Sequence, residues 1–214
     1  PPGIFGYNTE LETPEYDPEA AKQNLEESGW KDVDGDGWRE KDDVRLHLKI
    51  TTTDWAEYIR TAEVLQRQWK ELGIEVEVEH LGVGTIQQTV IRPRDYEILL
   101  FGELLSAIPD PYPFWHSTQT RSPGLNFSLF KNEDVDGLLE EARKTIDENE
   151  RLEKYKEFQG IILDLKPAIM LYRPFYLFAA HRSVRGVDAN FGYLTSDRFN
   201  NIERWHVKTK RVWK

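Results

Sequence analysis

Two periods of apolar residues organise the first half of the chain. Between residues 44 and 50, Val44, Leu46, Leu48 and Ile50 alternate with Arg45, His47 and Lys49, the pattern of a strand with one buried face. Over 54–72 the spacing changes to three and four residues. Trp55, Ile59, Ala62, Leu65, Trp69 and Leu72 then make one apolar stripe of a helix. Asp54 and Glu57 stand at capping-box spacing at its head, and Gly73 follows its last turn. Strict alternation returns at 74–80, with Glu75, Glu77 and Glu79 on the water side. A short helix near 85–91 and a continuous apolar strand over 96–101 complete a helix–strand alternation that predicts an α/β layer.

Punctuation residues place the other elements. Residues 1–16, rich in Pro, Gly and Glu, read as an extended lead-in. A helix begins at Asp17 as N-cap with Pro18 in its first turn, and Gly29 supplies the left-handed exit. The segment 31–43, KDVDGDGWREKDD, is a turn-rich acidic loop. From 102 to 130 the chain carries Pro109, Pro111, Pro113 and Pro123 among several aromatics, a loop long enough to point to function. Two helices follow. One opens at Asn132 with Val135, Leu138, Leu139 and Ala142 inward; the other carries Leu152, Tyr155, Phe158, Ile162 and Leu165 and stops at Pro167. The run 168–180, AIMLYRPFYLFAA, predicts one or two buried strands, and 182–214 is looser.

Composition narrows the function classes. The net charge is −10 with no basic stripe, which argues against nucleic-acid binding. No apolar stretch approaches the roughly 20 residues that span a bilayer. The absence of cysteine removes disulfides, thiol nucleophiles and thiolate metal sites together. Seven Trp, ten Phe and nine Tyr exceed what a modest core needs, and surplus aromatics suit a ligand pocket.

Two regions carry candidate chemistry. In DVDGDG, Asp32, Asp34 and Asp36 alternate and Gly37 follows, matching the start of a calcium loop, with Asp43 where the loop's last carboxylate would fall. Against a full calcium loop, Asp43 is shorter than the usual bidentate Glu and Arg39 stands where an apolar residue belongs; the other reading is a turn held by Asx hydrogen bonds. The second region is the long loop. Glu103 directly follows a predicted strand, where α/β sheets place ligand contacts. Tyr112, Phe114 and Trp115 offer apolar walls, and Asn126 a directional donor and acceptor. His47, His80, His116, His181 and His206 show no metal-ligand spacing, and no nucleophile triad or phosphate loop appears.

Six collinear stretches carry a resemblance. They are YDPEAAKQNLEESGWKDVDGDGWREKDD (16–43), AEVLQRQWKELGIEVEVE (62–79), DYEILLFG (95–102), PDPYPFW (109–115), NEDVDGLLEEARKTID (132–147) and ERLEKYKEFQGIILDLKPAIMLY (150–172). In this order they resemble the family 5 extracellular solute-binding proteins, which include oligopeptide-, dipeptide- and nickel-binding members. The resemblance implies the C-terminal lobe of a two-lobed periplasmic-binding-protein-like fold, a mixed sheet flanked by helices. Residues 1–181 would be the ligand-binding lobe, with 1–16 as hinge lead-in, and 182–214 would pack on an N-terminal lobe. It further implies a monomeric extracytoplasmic protein, periplasmic or lipid-anchored, that is not an enzyme. Such a protein would pass a peptide or similar solute to the permease of an ABC importer.

The resemblance also implies a ligand site at Glu103, Ala107, Tyr112, Trp115 and Asn126. Peptide-binding members carry an Asp four residues before the second Pro of the PDP turn, where it pairs with the peptide's amino group. Counting back from Pro111 gives Ala107 here, and Glu103 stands where an aromatic is usual. Either Glu103 takes over the amine, or the ligand is neutral, such as a saccharide or a blocked peptide. A hydrolase using Glu103 with a second carboxylate is the rival from another class.

Overall fold

The computed structural model describes residues 4–12, 14–105, 109–187, 195–199 and 201–207. They group into two compact units, residues 10–102 with 111–140, and residues 1–9 with 103–110 and 141–214. The boundary expected at 181/182 coincides with neither unit's edge.

The larger unit begins with α1 (Pro18–Glu27), where Asp17 accepts the N–H of Ala20 at 2.9 Å and Pro18 opens the helix. A hairpin of β1 (Glu40–Lys41) and β2 (Val44–Arg45) leads into β3 (His47–Thr53). Helix α2 (Ala56–Lys70) crosses to β4 (Glu75–Leu81), and α3 (Val83–Ile86) runs on as a π-helical turn (Gln87–Ile91) toward β5 (Ile98–Leu99). β3 is central in a three-stranded parallel sheet of order β4-β3-β5. Among the described residues this sheet is parallel, not mixed as expected.

Two boundaries differ from the sequence reading for physical reasons. The predicted strand at 44–50 is split: Val44 and Arg45 pair back onto Lys41 and Glu40, and the ladder strand continues through Thr53. Thr51, Thr52 and Thr53 are buried because a central strand is covered on both faces, so alternation is lost there. The strand expected at 96–101 keeps only two ladder residues, although Leu100 N–H still reaches Thr51 O at 3.0 Å.

One side of the sheet packs α2: Ile50, Ala62, Ile74 and Val76 are buried, with Leu48, Leu65, Trp69 and Leu72 against them. A second cluster joins Ile86, Val90 and Ile91 to Leu81, Leu99, Phe101 and Phe127. The Glu row on β4 is answered by Lys49, whose Nζ lies 3.0 Å from Glu79 and 3.8 Å from Glu77. Those carboxylates hold the lysine's pKa above its ordinary value.

The smaller unit is built on α6 (Glu148–Leu165), capped by Asp147, which accepts from Asn149 and Glu150 N–H. Gln159 on this helix bonds Gly6 O at 2.7 Å and accepts from Asn8 N–H at 3.2 Å, tying down the lead-in. Gly6 has φ +86°, and a Cβ there would lie 2.7 Å from the Tyr155 ring, so only glycine fits. The run 168–180 does not form buried strands. It has no ladder partners among the described residues, and Phe175 and Leu177 are 89% and 88% exposed.

Arg39 explains why the acidic loop departs from an apolar position there. Buried to 8% exposure, it donates from Nε to Leu72 O (2.7 Å) and from Nη1 to Trp30 O (2.9 Å), and pairs with Glu26 at 3.2 Å. It thereby satisfies carbonyls at the ends of both α1 and α2. Arg39→Met leaves those carbonyls unmet and is expected to cost about 2–3 kcal/mol, measured by urea unfolding. A loss below about 0.5 kcal/mol would contradict this role.

Candidate functional site

Parallel pairing brings the carboxyl ends of β3, β4 and β5 to one edge of the sheet, the edge where open α/β sheets receive ligands. β3 ends on Thr53, and Asp54 N–H then donates to Leu81 O at 3.0 Å, locking β3 to the end of β4. Trp55 is the N-cap of α2, in an extended conformation and with no side-chain cap bond. The expected Asp54–Glu57 capping box is therefore absent. Trp55 stacks on Tyr58 with centroids 5.8 Å apart and planes 5° from parallel, and the indole is 58% exposed. Gly102 ends this edge, and a Cβ there would collide with the Tyr58 hydroxyl. Thr53 Oγ is buried and has no hydrogen-bond partner. Sequence reasoning missed this group, although the junction TTTDW, strand running into helix, was the available signal.

The loop candidates separate once their contacts are known. Asn126 is wholly buried, and its Nδ2 lies 3.1 Å from Trp115 O, 3.2 Å from His116 O and 2.9 Å from Phe130 O, while Ser128 donates to its Oδ1. Its hydrogen bonds hold its own loop together. Tyr112 and Trp115 lie in α4 (Tyr112–Trp115) and are half-buried. Tyr112 stacks on His116 at 4.1 Å. Arg94 staples the loop from the other side, donating to Thr120 O (2.9 Å) and Gly124 O (2.6 Å) over the Phe127 ring.

His116 is buried, and its Nδ1 accepts the Thr118 N–H at 3.1 Å, which leaves the proton of the neutral ring on Nε2. Nε2 lies 3.4 Å from Glu140 and 3.8 Å from Asp136 on α5 (Glu133–Lys144). That tautomer suits a carboxylate acceptor and not a metal ion.

Glu103 belongs to the smaller unit. Neighbouring protein atoms desolvate its carboxyl enough to push it up to about 7, although the residue as a whole is exposed. Desolvation is the cause of that shift. Ala107 lies outside the described residues. Asp110, beside the turn, accepts a two-pronged contact from Arg143 (Nε 3.2 and 3.1 Å, Nη2 2.5 Å), and Tyr155 OH reaches Pro109 O at 3.4 Å.

In the acidic loop, one carboxylate oxygen from each of Asp32, Asp34, Asp36 and Glu40 falls within a 4.8 Å group. Asp43 is not in it: with φ +62° it sits in the β1–β2 turn, and Glu40 supplies the fourth oxygen. The same acids are engaged within the loop. Asp32 accepts from Gly35 (2.7 Å) and Gly37 (3.0 Å), Asp34 from Asp36 (3.1 Å), Asp36 from Trp38 (2.9 Å), and Glu40 from Val33 (3.1 Å). Arg45 pairs with Asp36 at 2.5 Å.

The oligopeptide-binding protein AppA of Bacillus subtilis is 30% identical over 208 residues, covering 95% of this chain but 37% of AppA. The structure of AppA in complex with a nonapeptide superposes with a TM-score of 0.77 at 28% identity, over 98% of this chain and 41% of that one. A periplasmic oligopeptide-binding protein of Thermotoga maritima, solved with mannohexaose bound, matches at a TM-score of 0.64 and 25% identity, over 72% of this chain and 30% of that one. The chain thus spans well under half the length of these relatives. No helix among the described residues is long and apolar enough to cross a membrane. The profile of the bacterial extracellular solute-binding proteins, family 5 Middle, matches residues 1–125, and the chain belongs to that family.

Proposed function

We propose that this chain is the C-terminal, solute-capturing lobe of an extracytoplasmic receptor that delivers peptides to the permease of an ABC importer. The observation that carries this reading is the superposition of nearly the whole chain on peptide-bound AppA. In this reading residues 1–181 form the ligand-binding lobe and 182–214 packs on the N-terminal lobe, for which the exposed apolar run at 169–178 is also suited. Glu103 holds the peptide's amino group. A desolvated carboxyl with no counter-ion gains most from an arriving ammonium, which returns it to the charged state. Tyr112 and Trp115, half-buried in α4 of the larger unit, are apolar surface available to the solute. A second reading, a saccharide ligand, is favoured by the mannohexaose-bound relative.

Calorimetry on the intact receptor with matched free and N-acetylated tripeptides separates these readings. The free amine is expected to bind at least about tenfold more tightly, and Glu103→Gln to erase that preference. The sign with pH follows from the raised pKa. Below about 7 the unliganded Glu103 is protonated, so affinity for the free amine falls with acidity and binding releases a proton. A preference that survives Glu103→Gln removes Glu103 from the amine site. Binding of mannohexaose with no binding of peptides replaces the peptide reading by the saccharide one.

The acidic loop acts as a hydrogen-bonded turn, since its carboxylates already take backbone N–H groups. Millimolar calcium, enough to fill a site of roughly 10⁻⁴–10⁻³ M affinity, is expected to leave the melting temperature unchanged. Asp32→Ala is expected to cost about 1–2 kcal/mol with or without calcium. A calcium-dependent rise that Asp32→Ala abolishes would overturn the turn reading.

A further inference from the structure

The strongest unassigned group is the edge residues after β3. Asp54 does not cap α2, and neither Asp54 nor Glu57 has an ion pair or side-chain hydrogen bond among the described residues. Both are exposed within the first turn of the helix. Between them stands the Trp55 indole, held flat against Tyr58 and open on its other side. Immediately before them Thr53, 2% exposed, keeps a buried hydroxyl without a partner, an arrangement that native structures seldom retain away from functional sites.

We propose that Asp54, Trp55 and Tyr58 form a subsite for a cationic group of the captured solute, a guanidinium or ammonium side chain. Three features select charge and sign. An exposed indole face attracts a cation through its quadrupole, and the stack with Tyr58 fixes that face before anything binds. Asp54 and Glu57 flank it with two negative charges, which repel carboxylates and phosphates. A planar guanidinium can stack on the ring and turn its N–H groups toward Asp54 at the same time, which a sugar ring or an aliphatic side chain cannot do. Asp54 is placed for this by its own N–H bond to Leu81 O, so no ordering of the backbone is needed on binding. The subsite rests on the reading that the sheet edge faces the solute.

The test uses the 214-residue chain with ¹⁵N-labelled tryptophan, Trp55→Phe identifying the Trp55 indole resonance. Methylguanidinium and its neutral isostere methylurea are titrated at equal ionic strength. Methylguanidinium is expected to shift the Trp55 resonance saturably, with a Kd on the order of 10 mM, and methylurea is not. Asp54→Asn is expected to weaken the response about fivefold or more, with the other indole resonances unmoved as the check on folding. An equal response to both probes, no saturable response, or a response indifferent to Asp54→Asn would each overturn the subsite. These outcomes are read on the isolated chain, so they are distinct from failure of the receptor to bind peptides.

Discussion

Parallel pairing on both sides of β3 is the constraint from which the larger unit follows. Parallel neighbours cannot be joined by a tight hairpin, so each link must cross over the sheet. α2 makes one crossing and the α3–π-helical segment the start of the other. The consequence is that strand ends and helix starts gather at one edge. Thr53, Asp54, Gly82 and Gly102 are neighbours in space although they are distant in sequence. The central position of β3 also dictates its composition. Its last residues must be compact and β-branched to be covered from both faces, and their hydroxyls must find acceptors. Thr52 does, at Leu100 O, 2.8 Å away; Thr53, nearest the edge, does not.

A net charge of −10 is distributed unevenly in its chemical state. Where acids serve structure, they are answered: Asp17 and Asp147 by helix N–H groups, the loop acids by turn N–H groups, Glu77 and Glu79 by Lys49, Asp110 by Arg143. Glu141 is held below the usual carboxylate range by Lys154 at 2.6 Å. Among the described residues Asp54 and Glu57 at the sheet edge and Glu103 are acids without an ion pair or side-chain hydrogen bond, and they follow strands β3 and β5.

Elements whose stability is local were legible in the sequence. Asp17 and Asn132, placed at helix starts by the sequence, do accept the N–H groups of Ala20 and Val135, and α6 carries the apolar residues read from its spacing, with Asp147 as a cap the sequence reading did not single out. Strand ends were less legible, since burial on both faces erases the alternation that marks a strand, as at Thr51–Thr53. Asn126 shows why site residues are hard to read: a buried amide serving three carbonyls has the same sequence signature as one awaiting a ligand. Asp54 was misread. Its spacing from Glu57 fits a capping box, but the ladder bond of its N–H to Leu81 shifts the helix start to Ala56 and frees the carboxylate.

The run 168–180 was read as a buried strand, and the physical basis of that reading outlasts its failure in this chain. Ile169, Leu171, Phe175 and Leu177 are open to solvent on one set of alternate positions, Met170, Tyr172, Tyr176 and Phe178 on the other. A segment apolar on both faces is suited to a strand covered from both sides, not to a surface ribbon. Burying Phe175 and Leu177 alone is worth about 3–6 kcal/mol at ordinary transfer energies, and an unpaired strand edge adds a row of backbone groups that want partners. Helix packing could cover one face but not satisfy the edge. A surface that offers strand edges suits this segment better than a helix does. By contrast, the sheet edge at Asp54–Trp55 is charged and aromatic in small area, with its backbone groups already bonded, which suits a small polar solute rather than a protein neighbour. Two open surfaces of one chain thus ask for different occupants, and their chemistry alone distinguishes assembly from recognition.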